Sequence, residues 1–336
     1  MHILVTGGAG YIGSHVVKQL LETTEHTVTV IDNLSTGHQS TLDTREAIAL
    51  VSKRGRLHFY QLDLADSNGM ETLFLTNQFD AIMHFAASIV VPESVENPLK
   101  YYLNNTVNTI NLIRLCNDYG IDKFIFSSTA AVYGEPKEIP VTETAHTDPI
   151  NPYGMSKLMS ERVLQDTARS NHNFRYVILR YFNVAGADLQ TRIGQSFPDA
   201  THLIKVAVQT ALGKRQKLSI FGTDYPTDDG TCIRDYIHIE DLAAAHISAL
   251  HHLNAGMQSN IFNCGYGHGF SVREVVETVK SSSGINLEFE VAPRRAGDPA
   301  LLIADSTKIK SILAWEPQYD DLSLICATAL EWEKKL

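Results

Sequence analysis

Short apolar runs alternate with longer segments of helical spacing through the first half of the chain. The runs are almost continuously apolar, which is typical of strands covered on both faces of a parallel sheet. They occupy residues 3–5, 28–31, 57–60, 81–85, 124–126 and 176–179. Segments that begin at Ser14 and at Pro98 carry apolar residues at helical spacing. This alternation predicts an α/β fold built on a doubly wound parallel sheet of the Rossmann type.

The pattern loosens after about Arg180. Turn-forming residues cluster at 186–188, 197–199 and 222–230, and helical spacing returns at 203–212, 240–253, 272–279 and 322–332. We predict a Rossmann domain over residues 1–182 and a smaller, loop-rich C-terminal α/β substrate domain over residues 183–336, with some elements exchanged between them. Doubly wound sheets bind ligands at the carboxyl ends of their strands, so we expect the second domain to cover that edge.

The composition narrows the class of protein. The 336 residues include 28 Lys and Arg against 38 Asp and Glu, and this net charge of -10 argues against nucleic-acid binding. The four cysteines have no CxxC spacing and give no sign of a zinc site or a disulfide framework. No apolar run approaches the ~20 residues of a membrane span. We therefore expect a cytoplasmic protein with no metal and no nucleic-acid or membrane partner.

A glycine-rich turn follows the first predicted strand and opens the first helix. Gly7, Gly10 and Gly13 permit a tight turn, the approach of a pyrophosphate to bare backbone, and close packing of helix on strand. The helix N-terminus then offers N–H groups to the phosphates. Asp32, at the end of the second strand, can accept both ribose hydroxyls and would repel a 2′-phosphate, which favours NAD over NADP. Asp63, after the third strand, could bind the adenine amino group.

Tyr153 and Lys157 are candidates for acid–base chemistry. They are one helical turn apart, in a helix that begins just after Pro152. The phenol has an unperturbed pKa of about 10, and a neighbouring ammonium and a positive nicotinamide ring would lower it. Hydroxyls at residues 127–129 end a buried strand of the same sheet, where Thr129 can hydrogen-bond a substrate hydroxyl. These groups around a dinucleotide predict a hydride-transfer site.

Together these motifs resemble the extended short-chain dehydrogenase/reductase family, and within it the UDP-glucose 4-epimerases, over nearly the whole chain. The resemblance is carried by residues 6–15, 32–34, 84–87, 152–157, 180–183, 224–231, 234–238 and 294–298. The last four of these segments lie in the predicted substrate domain or lead into it. They therefore distinguish nucleotide-sugar enzymes from reductases of small alcohols.

The resemblance implies the NAD-dependent interconversion of UDP-galactose and UDP-glucose. The sugar is oxidised transiently at C4 to a 4-keto intermediate, which turns over in the pocket and takes the hydride back on its other face. In this scheme Tyr153 removes the proton of the 4-hydroxyl, Thr129 orients that hydroxyl and Lys157 tunes Tyr153. The first predicted domain would bind NAD and the second would bind the UDP-sugar.

The motifs and the resemblance together nominate two sets of binding residues. The cofactor set is Gly7, Gly10, Tyr11, Ile12, Gly13, Asp32, Asn33, Asp63, Phe85, Ala86, Asn104, Ser127, Tyr153, Lys157 and Tyr181. The substrate set is Thr129, Asn183, His202, Leu203, Ser219, Phe221, Arg234, Arg295, Asp298 and Leu302. Within it Arg234 and Arg295 would clamp the diphosphate, for which guanidinium geometry is suited.

The resemblance also implies a homodimer. The helices that begin at Pro98 and Tyr153 carry more apolar surface than one sheet face requires, and two such helices per subunit could form a four-helix bundle with a symmetry mate.

The sequence departs from the family pattern at three places. Residues 88–91 replace a segment that carries a lysine in some epimerases, and residues 201–203 read Thr-His-Leu where Asn-Leu is common. Leu302 stands where galactose-restricted members have a bulky tyrosine, which would leave room for an N-acetyl group and so for UDP-N-acetylglucosamine and UDP-N-acetylgalactosamine.

Three other functions are compatible with parts of the sequence. A 4,6-dehydratase of the same family would need proton-transferring carboxylates after Thr129, where Ala130 and Ala131 stand. Another epimerase of the family is a second alternative. A catalytically silent NAD-binding regulator would keep the glycine turn but would have no need of Tyr153 with Lys157.

Overall fold

A computed structural model describes residues 1–42, 55–295 and 298–336 of the chain. Its strands are β1 (His2–Thr6), β2 (Thr27–Asp32), β3 (Leu57–Gln61), β4 (Ala81–His84), β5 (Lys123–Ser127), β6 (Arg175–Tyr181), β7 (Asn183–Ala185), β8 (Leu218–Phe221), β9 (Ile233–Arg234), β10 (Tyr236–His238), β11 (Asn260–Cys264), β12 (Phe270–Ser271), β13 (Phe289–Ala292) and β14 (Leu301–Leu302).

The helices follow the same order along the described chain. They are α1 (Tyr11–Thr23), α2 (Ser67–Thr76), α3 (Val91–Glu96), α4 (Pro98–Tyr101), α5 (Asn108–Asp118), α6 (Pro152–Ser170), α7 (Leu203–Ala211), α8 (Ile239–Asn254), α9 (Val272–Ser283), α10 (Thr307–Leu313) and α11 (Leu322–Glu333). A π-helical stretch, Tyr102–Val107, joins α4 to α5. Across the described ranges, none of the helices is long and apolar enough to cross a membrane.

In the described part of the chain, seven parallel strands form the central sheet in the order β3-β2-β1-β4-β5-β6-β11. The strand order reverses at β1, whose neighbours are β2 and β4, so a crevice opens at the carboxyl ends of β1 and β4. Six of these strands contain the six apolar runs of the sequence, which confirms the predicted doubly wound sheet. The seventh strand, β11, comes from beyond residue 182 and pairs with β6.

Apolar side chains cover both faces of this sheet. One face packs against α1 and α8 through residues such as Val16 and Leu250, which are fully buried. The other face packs against α2, α5 and α6, with Leu112 and Leu164 in its core. Burial of apolar surface on both faces explains why the strands read as continuous apolar runs rather than alternating ones.

Small sheets extend the fold beyond the carboxyl edge of β6. β7 follows β6 after one residue and pairs in parallel with β10, which leads into α8. Two further short sheets, β12-β9-β14 and β8-β13, carry many of the residues nominated for the substrate. A third apolar cluster, which includes Tyr133, Leu158 and Phe182, joins these segments to α6. The crevice thus lies between the Rossmann sheet and the short sheets.

Candidate active site

Of the three glycines nominated in the turn between β1 and α1, one has room for a side chain and two do not. A Cβ on Gly7, whose φ is +70°, would lie 2.6 Å from the Ala86 amide nitrogen, and one on Gly13 would lie 2.3 Å from the Gly7 oxygen. A Cβ on Gly10 would meet only the Gly7 oxygen, at 3.3 Å. The backbone at Gly10 is therefore bare and accessible, whereas the other two glycines are required by packing.

α1 begins at Tyr11 directly behind that bare backbone. Its N-cap is Gly10, which has no side chain to satisfy the first amide groups of the helix. A helix start of this kind attracts phosphate through its N–H groups and its dipole. The cradle therefore fits the pyrophosphate of a dinucleotide, with the Tyr11, Ile12 and Gly13 backbone beside it. The Tyr11 hydroxyl donates to the Gly186 carbonyl at 2.6 Å and so joins this helix to the second half of the chain.

The acids at the ends of β2 and β3 have defined partners. The Asp32 carboxylate accepts the amides of Ala9, at 3.0 Å, and of Leu34, at 2.8 Å. Burial raises the pKa of Asp32, and these hydrogen bonds oppose the rise. Each carboxylate oxygen keeps a lone pair for a ribose hydroxyl. Asn33 donates to Asp63 at 2.7 Å, which brings the two residues nominated for the adenosine end together.

Tyr153 and Lys157 lie on the buried face of α6, against the end of β5. Asn151 caps the helix by accepting the Gly154 amide at 2.9 Å, which fixes Tyr153 in the first turn. Only 7% of Tyr153 and 3% of Lys157 is exposed. The Lys157 ammonium donates to the Ser127 carbonyl at 2.9 Å, so helix and strand end are joined at the predicted catalytic pair.

Burial controls the acid–base state of this pair. It raises the pKa of Tyr153, the neighbouring Tyr181 phenol adds to the rise, and a hydrogen bond with Thr129 opposes it. It lowers the pKa of Lys157 to about 7, against the effect of Glu161. The predicted lowering of the tyrosine pKa is therefore not produced by the protein's own groups, because burial raises the pKa and only the hydrogen bond with Thr129 opposes that rise.

The segment that departs from the family pattern packs beside this pair. Asn105 accepts the Ser88 amide at 2.8 Å and donates to the Ser156 hydroxyl at 3.0 Å, and Asn104 donates to the Ser88 hydroxyl at 3.1 Å. Both asparagines lie in the π-helical stretch, a geometry that is frequent at functional sites. Asn104 therefore lies close to α6, and the backbone of Phe85 and Ala86 lies against Gly7 in the turn between β1 and α1.

A cluster of cationic and aromatic groups forms the substrate side. Arg234 is buried and donates to Asp298 at 2.8 Å, and the Arg295 guanidinium lies 3.8 Å from the centre of the Phe221 ring. Both arginines act on the Cys232 thiol, lowering its pKa against the rise caused by burial, so they converge on one region. Leu302 pairs with Arg234 across β14 and β9. Two cationic groups with an aromatic face and a carboxylate suit a nucleoside diphosphate.

The remaining residues nominated for the substrate make hydrogen bonds or packing contacts outside the arginine cluster. The backbone N–H of Asn183 donates to the backbone carbonyl of Asp235 at 2.9 Å, and Asp235 follows Arg234 in the chain. Ser219 lies on β8 with Phe221, and its hydroxyl donates to Glu290 at 2.9 Å. Exposed His202 hydrogen-bonds Gln195 and precedes Leu203, the first residue of α7, which packs against β8.

Two residues that lie near the site were not nominated from the sequence. Tyr225 is buried, the Arg294 guanidinium lies 4.1 Å from the centre of the Tyr225 ring, and Asp298 is close by. Glu161 lies one turn after Lys157 and is fully buried. The sequence signal that could have identified Glu161 is its spacing, because it lies four residues after Lys157 and so on the same face of the helix.

The remaining candidates for metal ligands are histidines and acids outside the site. His84 is buried between the hydroxyls of Thr6, at 2.6 Å, and Thr109, at 2.9 Å, so both of its ring nitrogens have partners in the core. In residues 1–42, 55–295 and 298–336, the His, Cys, Asp and Glu side chains form no group of three or more that could hold a metal ion.

Comparisons with known proteins point to one family. The model of the NAD dependent epimerase/dehydratase family matches residues 3–265. The UDP-glucose 4-epimerase of Azospirillum brasilense is 52% identical over 99% of this chain and 92% of its own length. The UDP-Glc/GlcNAc 4-epimerase structure from Campylobacter jejuni has 55% identity and a TM-score of 0.87, with 100% of this chain and 99% of that chain covered. A UDP-glucose-4-epimerase structure from Stenotrophomonas maltophila with bound NAD and formylated UDP-arabinopyranose has 36% identity and a TM-score of 0.94, covering 100% and 98% of the two chains.

Proposed function

We propose that this chain, which belongs to the NAD dependent epimerase/dehydratase family, interconverts UDP-galactose and UDP-glucose with NAD as its cofactor. One observation carries the proposal. Tyr153, Lys157 and Thr129 lie at the end of β5, and the residues after Lys157 and Thr129 pack in one cluster with Leu302, the strand partner of Arg234. Relatives of 42–52% identity over nearly the full chain carry the name UDP-glucose 4-epimerase.

The reaction is an internal oxidation and reduction at sugar C4. NAD, when bound, would supply the hydride acceptor and a positively charged ring, and the turn at Gly10 and the Asp32 carboxylate would hold its pyrophosphate and ribose. Tyr153 would take the proton of the sugar 4-hydroxyl when C4 is oxidised and would return it when C4 is reduced from its opposite face. Thr129 orients the hydroxyl, and Lys157 holds a positive charge next to the phenol. Since the oxidation is reversed in the site, no reduced cofactor accumulates.

The test is product analysis of purified protein with UDP-galactose and no added reductant. Formation of UDP-glucose without net NADH supports the epimerase. Loss of water to a 4-keto-6-deoxy sugar would instead indicate a dehydratase, although Ala130 and Ala131 after Thr129 offer it no proton-transferring side chain. A protein that binds NAD but converts no nucleotide sugar would be a silent regulator.

We further propose that the enzyme accepts UDP-N-acetylglucosamine and UDP-N-acetylgalactosamine. Leu302 is half-buried beside Arg234 and packs against the Tyr133–Leu158–Phe182 cluster. Its side chain is much smaller than a tyrosine, and the similar Campylobacter jejuni protein is a UDP-Glc/GlcNAc 4-epimerase. Room for an N-acetyl group at this position is the physical basis of the proposal.

Leu302→Tyr is therefore expected to lower kcat/KM for UDP-N-acetylgalactosamine by about 10- to 100-fold, a typical range for steric discrimination. Activity on UDP-galactose should be largely kept. The matched control is Leu301→Tyr, because side chains of successive strand residues point to opposite faces. The two variants would be compared with both substrates at equal protein concentration. Equal losses on both substrates, or the same pattern in the control, would contradict the role of Leu302.

The protein is proposed to act as a homodimer. Leu99 and Leu103 are 70% and 60% exposed, and Val107 and Ile110 continue the same apolar face along α4, the π-helical stretch and α5. Met159 on α6 is also exposed. This exposed apolar face, with the exposed Met159 on the neighbouring helix, supports pairing with the same helices of a second copy in a four-helix bundle.

Leu103→Asp is expected to weaken this dimer by at least about 100-fold in dissociation constant, because a charge would be buried at the centre of the interface. Sedimentation velocity over a range of protein concentrations measures the change. Leu75→Asp is the control, since Leu75 is 72% exposed on α2, outside the proposed face. A wild-type protein that sediments only as a monomer would refute the proposal.

We assign the NAD-binding part to residues 1–182 and the UDP-sugar-binding part to residues 183–336, with β11 and α8 exchanged into the first. The four cysteines are all buried and free, which supports a reducing compartment such as the cytoplasm.

A further inference from the structure

A buried ion pair lies directly beneath the Tyr153–Lys157 pair. Glu161 is fully buried on α6, one turn after Lys157. Arg180, from β6, donates to both of its carboxylate oxygens, with Nη2 to Oε2 at 2.5 Å and Nε to Oε1 at 3.0 Å. The Ser128 hydroxyl donates to Oε1 at 2.5 Å. The carboxylate is therefore held by a strand end and by the neighbouring strand at once.

Three successive residues at the end of β5 connect this ion pair to the reacting groups. The Ser127 carbonyl accepts the Lys157 ammonium, Ser128 is bound by Glu161, and Thr129 hydrogen-bonds the Tyr153 phenol. A shift of the Glu161 carboxylate would thus be transmitted to both partners of the catalytic pair through one short stretch of backbone.

The far side of the ion pair is also fixed. Arg180 donates to the Tyr133 hydroxyl at 3.0 Å, and Tyr133 donates to Asn263 of β11 at 2.6 Å. Buried ion pairs give little net stability, because desolvation of both charges offsets their attraction. Stability alone is therefore a weak reason for this arrangement.

We propose that Glu161, held by Arg180 and Ser128, is a positioning residue that fixes Lys157 against β5 and keeps its buried ammonium protonated. The proposal rests on the proposed function for its catalytic consequence.

The charges around Lys157 favour this role. His84, from β4, is neutral because burial lowers its pKa to about 3, with the Lys157 charge contributing. Tyr153, on α6, is a neutral phenol in the same environment. Burial lowers the pKa of Lys157 to about 7, and the Glu161 carboxylate opposes that fall. Removal of the carboxylate would lower the pKa further, so the ammonium would lose its proton at a lower pH.

Glu161→Gln tests the inference without relying on activity. Lysines labelled with ¹³C at Cε would be titrated by NMR, with the Lys157 signal assigned by its loss in Lys157→Arg. We expect the titration midpoint of Lys157 to fall by about one pH unit, the size of shift that one nearby charge produces. The alkaline limb of the pH profile for kcat should move to lower pH by a similar amount, with little change in KM for UDP-galactose.

Two further variants keep the test decisive. Glu161→Met with Arg180→Met removes both charges, a replacement that buried ion pairs often tolerate, and should shift the pKa of Lys157 in the same direction but by less, because a nearby cation is lost as well. Glu333→Gln removes a carboxylate equally buried beside Lys205, at 2.5 Å in another part of the chain, and should leave the Lys157 midpoint unchanged.

An unchanged Lys157 midpoint in both Glu161 variants would overturn the proposal and leave the ion pair a structural feature. A shifted midpoint in a protein whose wild type converts no UDP-hexose would refute the proposed function while supporting the control of Lys157 by Glu161.

Discussion

Tyr153→Phe is expected to lower kcat for UDP-galactose by about a thousand-fold, the scale of a lost general acid–base group. The substitution removes only the phenol oxygen. The ring stays packed near Tyr101, with the ring centres 6.4 Å apart, so the fold and NAD content should be unchanged. Thr129 would still orient the sugar hydroxyl, but no group at that position could take its proton. KM should change little, since the loss falls on the chemical step.

Tyr101→Phe is the matched control for this prediction. It removes a hydroxyl that donates to the Val90 carbonyl at 2.6 Å and to the Glu93 carboxylate at 2.9 Å, neither of which belongs to the proposed catalytic set. Both variants would be assayed for bound NAD, thermal unfolding and initial rate of UDP-glucose formation. Tyr153→Phe with a tenth or more of the wild-type kcat would exclude the phenol as the base. A collapse of NAD content in the same variant would mean that the residue acts through cofactor binding instead.

The sequence predicted the parts of the fold that depend on local pattern. The apolar runs predicted β1 to β6 because a strand buried on both faces must be apolar at nearly every position. β11 was not predicted, since Asn260 and Asn263 interrupt its apolar character. Its position beside β6 is set by a long-range pairing and by the burial of Asn263 against Tyr133. The π-helical stretch was likewise read as ordinary helix.

In the candidate site, too, the sequence predicted what depends on local spacing and missed what depends on distant contacts. Spacing brought Tyr153 and Lys157 to one face of a helix, and the structure places them together at the end of β5. The direction of the Tyr153 pKa could not be read from spacing, because it depends on how completely the surrounding chain removes water from the phenol. Glu161 was missed for a related reason, since its partners Arg180 and Ser128 are distant in sequence.

Gly10→Ala is expected to weaken NAD binding by about 10- to 100-fold, because the new methyl group would occupy the bare backbone that a pyrophosphate approaches. The fold should tolerate it. Gly10 has φ −80° and ψ 177°, an extended conformation open to any residue, and its Cβ meets only one backbone oxygen, at 3.3 Å. The cost at an N-cap is at most about 1 kcal/mol. Isothermal titration of NAD-depleted protein gives the dissociation constant directly.

Gly13→Ala separates phosphate binding from packing in the same turn. Its Cβ would lie 2.3 Å from the Gly7 oxygen and 2.8 Å from the Gly8 Cα, so the backbone must move and the free energy of unfolding should fall by about 1–3 kcal/mol. Because a ligand that binds only the folded state raises its apparent stability, added NAD should raise the unfolding temperature of wild type more than that of Gly10→Ala. If NAD raised the unfolding temperatures of wild type and Gly10→Ala equally, the pyrophosphate would not lie at Gly10. The glycine turn would then serve only the packing of β1 against α1.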